Sequence, residues 1–575
     1  MKTSATALRK RSARPYEQIV IDGVRPSVDH GRFPLKAIVG ETCTVDATVF
    51  RHGHERIRAA VRVRRPGAAG VRELPMLLVD PARDVWRADV LLDAAGKFTL
   101  SIAAWTDQFA TWAADLETQA AAGVSDLSAE IAEGVALVER AASGAKGDVK
   151  KEIAALLQRL RDASADPPKC RALAADTAAL DLVGRNALRD DEVRYESDFE
   201  IMAERPMARA GAWYNIPAPR SAGTPAETAA GMAEAERSLT RIHDLGFDVV
   251  CLAPSLPIGM TTDSNIGAFD QFVHAANVLG LEVALALSTQ CSADHPWVTD
   301  HPDWFLRRTD GSVRLNVETA DWKRLWHELR EVFRFWIGHG IRVFSVVDPH
   351  TKPLGFWSWL IEEIHLDSPE VIFLAEAVPR VPMTRALGLR GFTQSRTRFE
   401  QKRTGAELAS YMGELVSPPM SAAIRPNFTA GGAEAGFRSR LVLAATLSPS
   451  YTVSDPPDGA ADLMRRLNDA RKANPALQRF DNLHVAETDD GNVVAFVKST
   501  PDRSNSVIIV INLDPGEAHA AHVHAPEESI GLAQGESATV EDVLTGRTFT
   551  WTRSMHVRLD PNDGEPAHVL VVRGR

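Results

Sequence analysis

Short β-prone runs separated by Gly, Pro and Asp turns fill residues 19–112, with 43–50, 59–63 and 97–104 the clearest, a pattern that predicts a small antiparallel β-sandwich. From 113 to 168 the chain turns to Ala, Leu, Glu and Lys with few β-branched residues. That composition predicts a helical insert of three or more helices, closed by Pro167-Pro168. Residues 169–205 return to the sandwich or link it onward. Between 206 and 470 continuous apolar runs (247–253, 281–287, 341–347, 371–374) alternate with amphipathic stretches at 226–245, 267–279, 321–337, 353–364 and 405–415. Apolar strands buried on both faces with helices between them belong to parallel sheets. A (β/α)8 barrel accommodates so many units in one domain, with an open doubly wound sheet as the alternative. Residues 471–575 close the chain with strand-like runs at 493–497, 507–512 and 556–559, an antiparallel β domain.

Composition narrows the function classes. The 575 residues are 45% apolar and 25% charged, an ordinary globular balance, and the net charge of −11 comes without a long run of one sign. Neither nucleic acid nor a membrane is an expected partner, because no basic stretch follows the phosphate backbone and no run of 18 apolar residues occurs. Residues 1–18 read as a disordered basic tail with Lys2, Arg9, Lys10, Arg11 and Arg14, and no apolar segment after it suggests a signal peptide. Cys43, Cys170, Cys251 and Cys291 lie far apart, without metal-site spacing, and read as buried thiols of a cytoplasmic protein.

Reactive groups of a (β/α)8 barrel project from the C-terminal ends of its strands. At one such end Glu376 follows Phe373-Leu374-Ala375, where it is a general-acid candidate or a carboxylate paired with an arginine. At another, Asp348, His350 and Lys352 lie within five residues and suit a phosphate or sugar hydroxyls, or an ordinary polar loop. Gln290 and Asp294 are weaker binding candidates. Trp297 and Trp304, in Asp294-His295-Pro296-Trp297 and His301-Pro302-Asp303-Trp304, suit stacking on a sugar ring or packing of the barrel rim. No phosphate loop, nucleophile elbow or zincin motif falls at these ends.

Seven motifs in order carry a resemblance. Trp213-Tyr214 with Pro219-Arg220-Ser221, Gly246-Phe247-Asp248-Val249, Gln290-Cys291-Ser292, Asp348-Pro349-His350-Thr351-Lys352-Pro353, Phe373-Leu374-Ala375-Glu376-Ala377, Arg425-Pro426-Asn427-Phe428 and Leu447-Ser448-Pro449 together resemble the α-1,4-glucan:maltose-1-phosphate maltosyltransferases of the α-amylase superfamily. The resemblance implies a cytoplasmic homodimer that extends α-glucans with maltosyl units, retains anomeric configuration and needs no metal or organic cofactor. It also implies Glu376 as the acid/base.

The same resemblance exposes departures. Retention needs a nucleophilic carboxylate about 5 Å from the acid/base. Where the family reads Arg-Val-Asp-Asn-Pro-His-Thr-Lys-Pro, this chain reads Ser345-Val346-Val347-Asp348-Pro349-His350-Thr351-Lys352-Pro353. Val347 thus stands at the nucleophile position and Ser345 at the arginine position. Asp348 is one position late, and alternation along a strand aims its carboxylate away from the reacting carbon. It also places an anion where the family has a phosphate-contacting Asn. The loops at 260–265, 312–320 and 429–435 are shorter than the family's, the last carrying only Glu434, and Ala286 replaces an Asp. An Asp restored at 347 would lack the arginine counterion.

The expected reading is a non-catalytic member of the family that binds α-glucan or maltooligosaccharide or regulates a partner, either its own copy or an active relative. An active glucan-modifying enzyme resting on Glu376 and the 350–352 cluster is the alternative, and a purely structural subunit resting on the sandwich and insert is a third.

Overall fold

The computed structural model describes residues 18–186, 189–216, 225–252, 263–291, 293, 295–431, 436–562, 564 and 566–574. Asp294, Glu434, Pro219-Arg220-Ser221 and the basic tail through residue 17 lie outside them. Two compact units divide the chain, one through Ala203 and one from Glu204.

The first unit is a β-sandwich with a helical insert. One sheet runs Ile19–Arg25, Thr42–Arg51, Val85–Leu91, Leu77–Asp80; the other runs Leu35–Ile38, Phe199–Glu204, Gly96–Thr106, Ile57–Arg64, Arg72–Pro75. Strict alternation buries Cys43, Val45, Ala47 and Val49 between the sheets. The insert starts at Gln108 rather than 113, because Asp107 caps it by accepting from the Ala110 N–H at 2.9 Å. Nor does Pro167-Pro168 end it. Proline fits the first turn of a helix, where its missing N–H has no partner to lose, and here it opens Pro167–Ala174, followed by Thr177–Asn186. The five helices pack on Trp112, Ile131, Val138, Ile153 and Leu160. Gly134 is required there, since a Cβ would lie 2.1 Å from the Trp112 ring.

The second unit contains a closed parallel barrel of eight strands: β1 Gly211–Ile216, β2 Val249–Leu252, β3 Glu282–Ser288, β4 Val343–Val347, β5 Ile372–Glu376, β6 Gln394–Arg396, β7 Pro426–Ala430 and β8 Ser450–Val453. Because β8 pairs back onto β1, with Gly211 beside Ser450, the open-sheet alternative is excluded. Parity sorts the strand residues. Val250, Leu285, Phe344, Val346, Phe373, Phe428 and Tyr451 pack outward against the helices. Their neighbours in sequence, Trp213, Val249, Ala284, Val343, Ser345, Leu374, Arg396, Asn427 and Thr452, line the interior and are also buried. Two helices not expected, Val381–Leu389 and Phe437–Leu447, complete the ring together with Ala461–Ala473, which follows β8.

An eight-stranded antiparallel sheet follows the helix Ala461–Ala473. Its central strands Val493–Ser499 and Ser506–Asn512 are buried on both faces: Phe496, Ile509 and Val571 join the barrel's core, while Val497, Ile508, Val510 and Leu570 form a second one.

Candidate functional site at the barrel mouth

In the parallel pairing of β4 with β5, Val347 stands beside Glu376 and Ser345 beside Leu374, so all four side chains face the interior. Glu376 is held from both sides. The Ser345 hydroxyl donates to its Oε2, and Arg396 Nη2 on β6 lies 3.8 Å from its Oε1. The Arg396 guanidinium is anchored in turn, Nη1 donating to Asn427 Oδ1 at 2.7 Å and to Thr452 Oγ1 at 2.6 Å. Asn427 donates to Gln394 Oε1 at 2.9 Å, and Gln394 Nε2 donates to Ser450 Oγ at 2.9 Å and to the Ala208 carbonyl at 3.1 Å. A polar ladder therefore runs through the barrel interior from floor to mouth. At its upper end the inward-facing residues of the eight strands are Asn215, Cys251, Ser288, Val347, Glu376, Arg396, Thr429 and Thr452, among which Glu376 is the sole carboxylate.

Of the other expected binding residues, Asp348, His350, Lys352 and Gln290 are described, and they do not converge on Glu376. Asp348 adopts a left-handed backbone with φ of 49° that ends β4. Its side chain is 61% exposed, and its N–H donates to the Glu376 carbonyl at 3.2 Å. His350 Nδ1 lies 3.9 Å from Asp348 Oδ1 and has no hydrogen-bond partner among the described residues. Lys352 is only 4% exposed and gives its ammonium to the Leu315 carbonyl at 2.9 Å. Burial, with Arg314 nearby, pushes its pKa down to about 8. Its place is beneath the hairpin of Phe305–Arg307 and Val313–Leu315, where it is scaffold. Gln290 is exposed. Trp304 is buried and stacked on His301 with ring centroids 4.0 Å apart, which is rim packing; Trp297 is half-buried.

Arg396 was not among the expected residues, because a strand reading Gln394-Ser395-Arg396 has no apolar run. The signal it does carry is parity, two polar residues two apart. Cys251 also faces the interior, and burial, reinforced by the Glu376 charge, pushes its thiol up to about 12, a protonated and unreactive state. All four cysteines are free and buried. Among the described residues, Asp514, Glu517 and His519 have ligand atoms within 4.8 Å of one another. They serve a turn: Asp514 Oδ1 accepts from the Gly516 and Glu517 N–H groups, and His519 Nδ1 bonds Asp490 at 2.8 Å.

Residues 17–205 match the N/S-domain model of α-1,4-glucan:maltose-1-phosphate maltosyltransferase, and 485–572 match the GLGE C-terminal model. α-1,4-Glucan:maltose-1-phosphate maltosyltransferase 1 of Streptomyces coelicolor is 36% identical over 96% of this chain and 95% of its own length. The chain belongs to the α-1,4-glucan:maltose-1-phosphate maltosyltransferase family. A maltosyltransferase of Myxococcus xanthus is 33% identical over 96% of this chain and 97% of its own. The fold agrees with that of an Anoxybacillus α-amylase, at a TM-score of 0.51 and 15% identity over 64% of this chain and 99% of the amylase. The Streptomyces alignment spreads 96% of 575 residues over 651 positions, so about a hundred positions of that maltosyltransferase have no counterpart here.

Proposed function

We propose that this maltosyltransferase-family protein has lost maltosyl transfer and acts in α-glucan metabolism as a glucan-binding or regulatory partner. The observation that carries the reading is Val347 in register with Glu376. Double displacement with retention needs two carboxylates about 5 Å apart, and the inward ring at the mouth offers one. Asp348 does not replace the second, since its left-handed backbone turns the side chain out to solvent. The missing positions relative to the Streptomyces relative support the same reading.

The second reading is an active maltosyltransferase, favoured by the activity named for relatives that align over nearly the whole chain. Phosphate release from maltose 1-phosphate with a maltooligosaccharide acceptor separates the two. We expect no turnover; a rate within about tenfold of ordinary enzyme values, a few per second, overturns the proposal. Val347→Asp alone is expected to stay inactive, because a nucleophile acts only on a donor held in attack geometry, where about 1 Å of misplacement costs a hundredfold. Calorimetric binding of a longer maltooligosaccharide to the unmodified chain supports the glucan-binding arm, and absence of binding removes it.

The proposal includes a cytoplasmic homodimer without metal or organic cofactor. No helix among the described residues is long and apolar enough to cross a membrane. Light scattering that returns the 62.7 kDa monomer at micromolar concentration counts against the dimer.

A further inference from the structure

We propose that Arg396 is the positioning residue of Glu376, supplying from β6 the guanidinium that the family's pattern places on β4, where this chain has Ser345. Glu376 then serves as the counter-ion at the upper end of the polar ladder, an inference that does not depend on the proposed loss of transfer.

Three observations converge. First, the two positions flank β5: Ser345 is on β4 and Arg396 on β6, and both face the interior beside Leu374–Glu376. A guanidinium moved from one to the other stays next to the same carboxylate. Second, Arg396 is nearly out of solvent, its side chain 7% exposed, and Glu376 is the carboxylate within 4 Å of it among the described residues. Without that neighbour its hydrogen bonds would go only to the neutral oxygens of Asn427 and Thr452, with Glu400 acting as the remaining, longer-range charge, and a poorly compensated buried charge is strongly destabilising. Third, the division of bonds is complementary. Arg396 Nη1 is committed to Asn427 and Thr452, which leaves Nη2 for the charge contact with Oε1. Oε2 takes the Ser345 hydroxyl, which a short neutral side chain can offer only when the arginine is elsewhere. Each carboxylate oxygen thus has its own neighbour on its own side, an arrangement that fixes the side chain against β5.

The exchange predicts a specific compensation, read on folding stability and therefore independent of whether maltose 1-phosphate is turned over. Thermal unfolding is compared for the full chain, Ser345→Arg, Arg396→Ser and the double variant. Ser345→Arg crowds two guanidinium groups onto one carboxylate. Arg396→Ser leaves Glu376 unpaired and opens a cavity. Each single change is expected to lower Tm by about 4 °C or more. The double variant conserves the summed side-chain volume and returns one guanidinium to the carboxylate, so its Tm should exceed that of both singles. A purely structural Arg396 would give a double variant at or below the worse single, and that result overturns the proposal. Should Arg396→Ser not fold, Arg396→Lys and Glu376→Gln provide the same test as a double-mutant cycle. Losses that are smaller together than in sum support the pairing; additive losses refute it.

Discussion

The floor and the mouth of the barrel obey different rules. At the floor most polar groups close bonds inside the protein, with Trp213 Nε1 and Glu282 Oε2 exceptions among the described residues. Arg471 donates to the carbonyls of Ala445, Ser448 and Pro449, just before β8. Tyr451 donates to Asn468 Oδ1 at 2.7 Å, and Asn468 donates to the Leu245 carbonyl at 2.8 Å. Arg425 pairs with Glu204 and Arg205 with Glu282. At the mouth Asp348 and Gln290 face solvent, Val347 completes nothing, and Glu376 is 34% exposed. A floor residue is specified by its partners, since an orphaned buried donor or acceptor costs free energy whatever the protein does. A mouth residue of an enzyme is specified by its substrate. Were that demand lifted, as the proposed function has it, Val347 would meet no constraint from the fold beyond facing the interior, while the floor residues would stay bound to their partners.

The largest effect that would test this contrast is at the floor. Arg471→Met should strand the buried carbonyls of Ala445 and Ser448, that of Pro449 keeping the Gly211 N–H, and lower stability by about 2–5 kcal/mol, seen as a fall in the urea midpoint. A loss below about 1 kcal/mol would mean that water enters and satisfies them.

A smaller effect lies under the mouth. Lys352 titrates near 8 in the native protein against an ordinary value of 10.5. Below pH 8 both states carry the proton and the native state bears the whole burial cost. From about 8 to 10.5 the unfolded chain binds a proton that the native chain has released, so stability rises with pH across that window. Lys352→Met should flatten this rise in a series of urea midpoints taken from pH 7 to 10.5, and an unchanged slope would place the titration elsewhere.

The smallest effect belongs to the exposed mouth. Asp348→Asn should shift stability by no more than about 0.5 kcal/mol, as surface changes do. A larger loss in thermal melts would show that the carboxylate holds the end of β4 in place.

Legibility in the sequence follows the same contrast. Strands β2 to β5 are readable because residues buried on both faces are almost all apolar, with Ser345 the one buried polar residue within them. Strand β6 is not, since its interior positions are Gln394 and Arg396, and neither is Phe437–Leu447, whose burial all round removes the amphipathic period that marks a surface helix. At the site, alternation along β4 by itself separates Val347 from Asp348. The spacing of His350 and Lys352 suggested donor binding, but spacing does not tell which side of a loop an atom faces, and Lys352 turned inward. The missing counter-ion expected from Ser345 is also a local reading: Arg396 stands two strands away and 51 positions later, a proximity that the parallel pairing of β4, β5 and β6 creates.

One cation in the last domain ties the two ends of the second unit together. Lys498, in the middle of the antiparallel sheet, reaches across to the carbonyls of Thr446 and Leu447, at the end of the barrel's penultimate helix, and to that of Arg479. A helix ends in carbonyls that need donors, and here the donor is borrowed from a sheet encoded some fifty residues downstream. The C-terminal region is therefore no detachable module. A chain cut ahead of it would leave the barrel with helix-end carbonyls lacking their donor and with part of its shared core exposed.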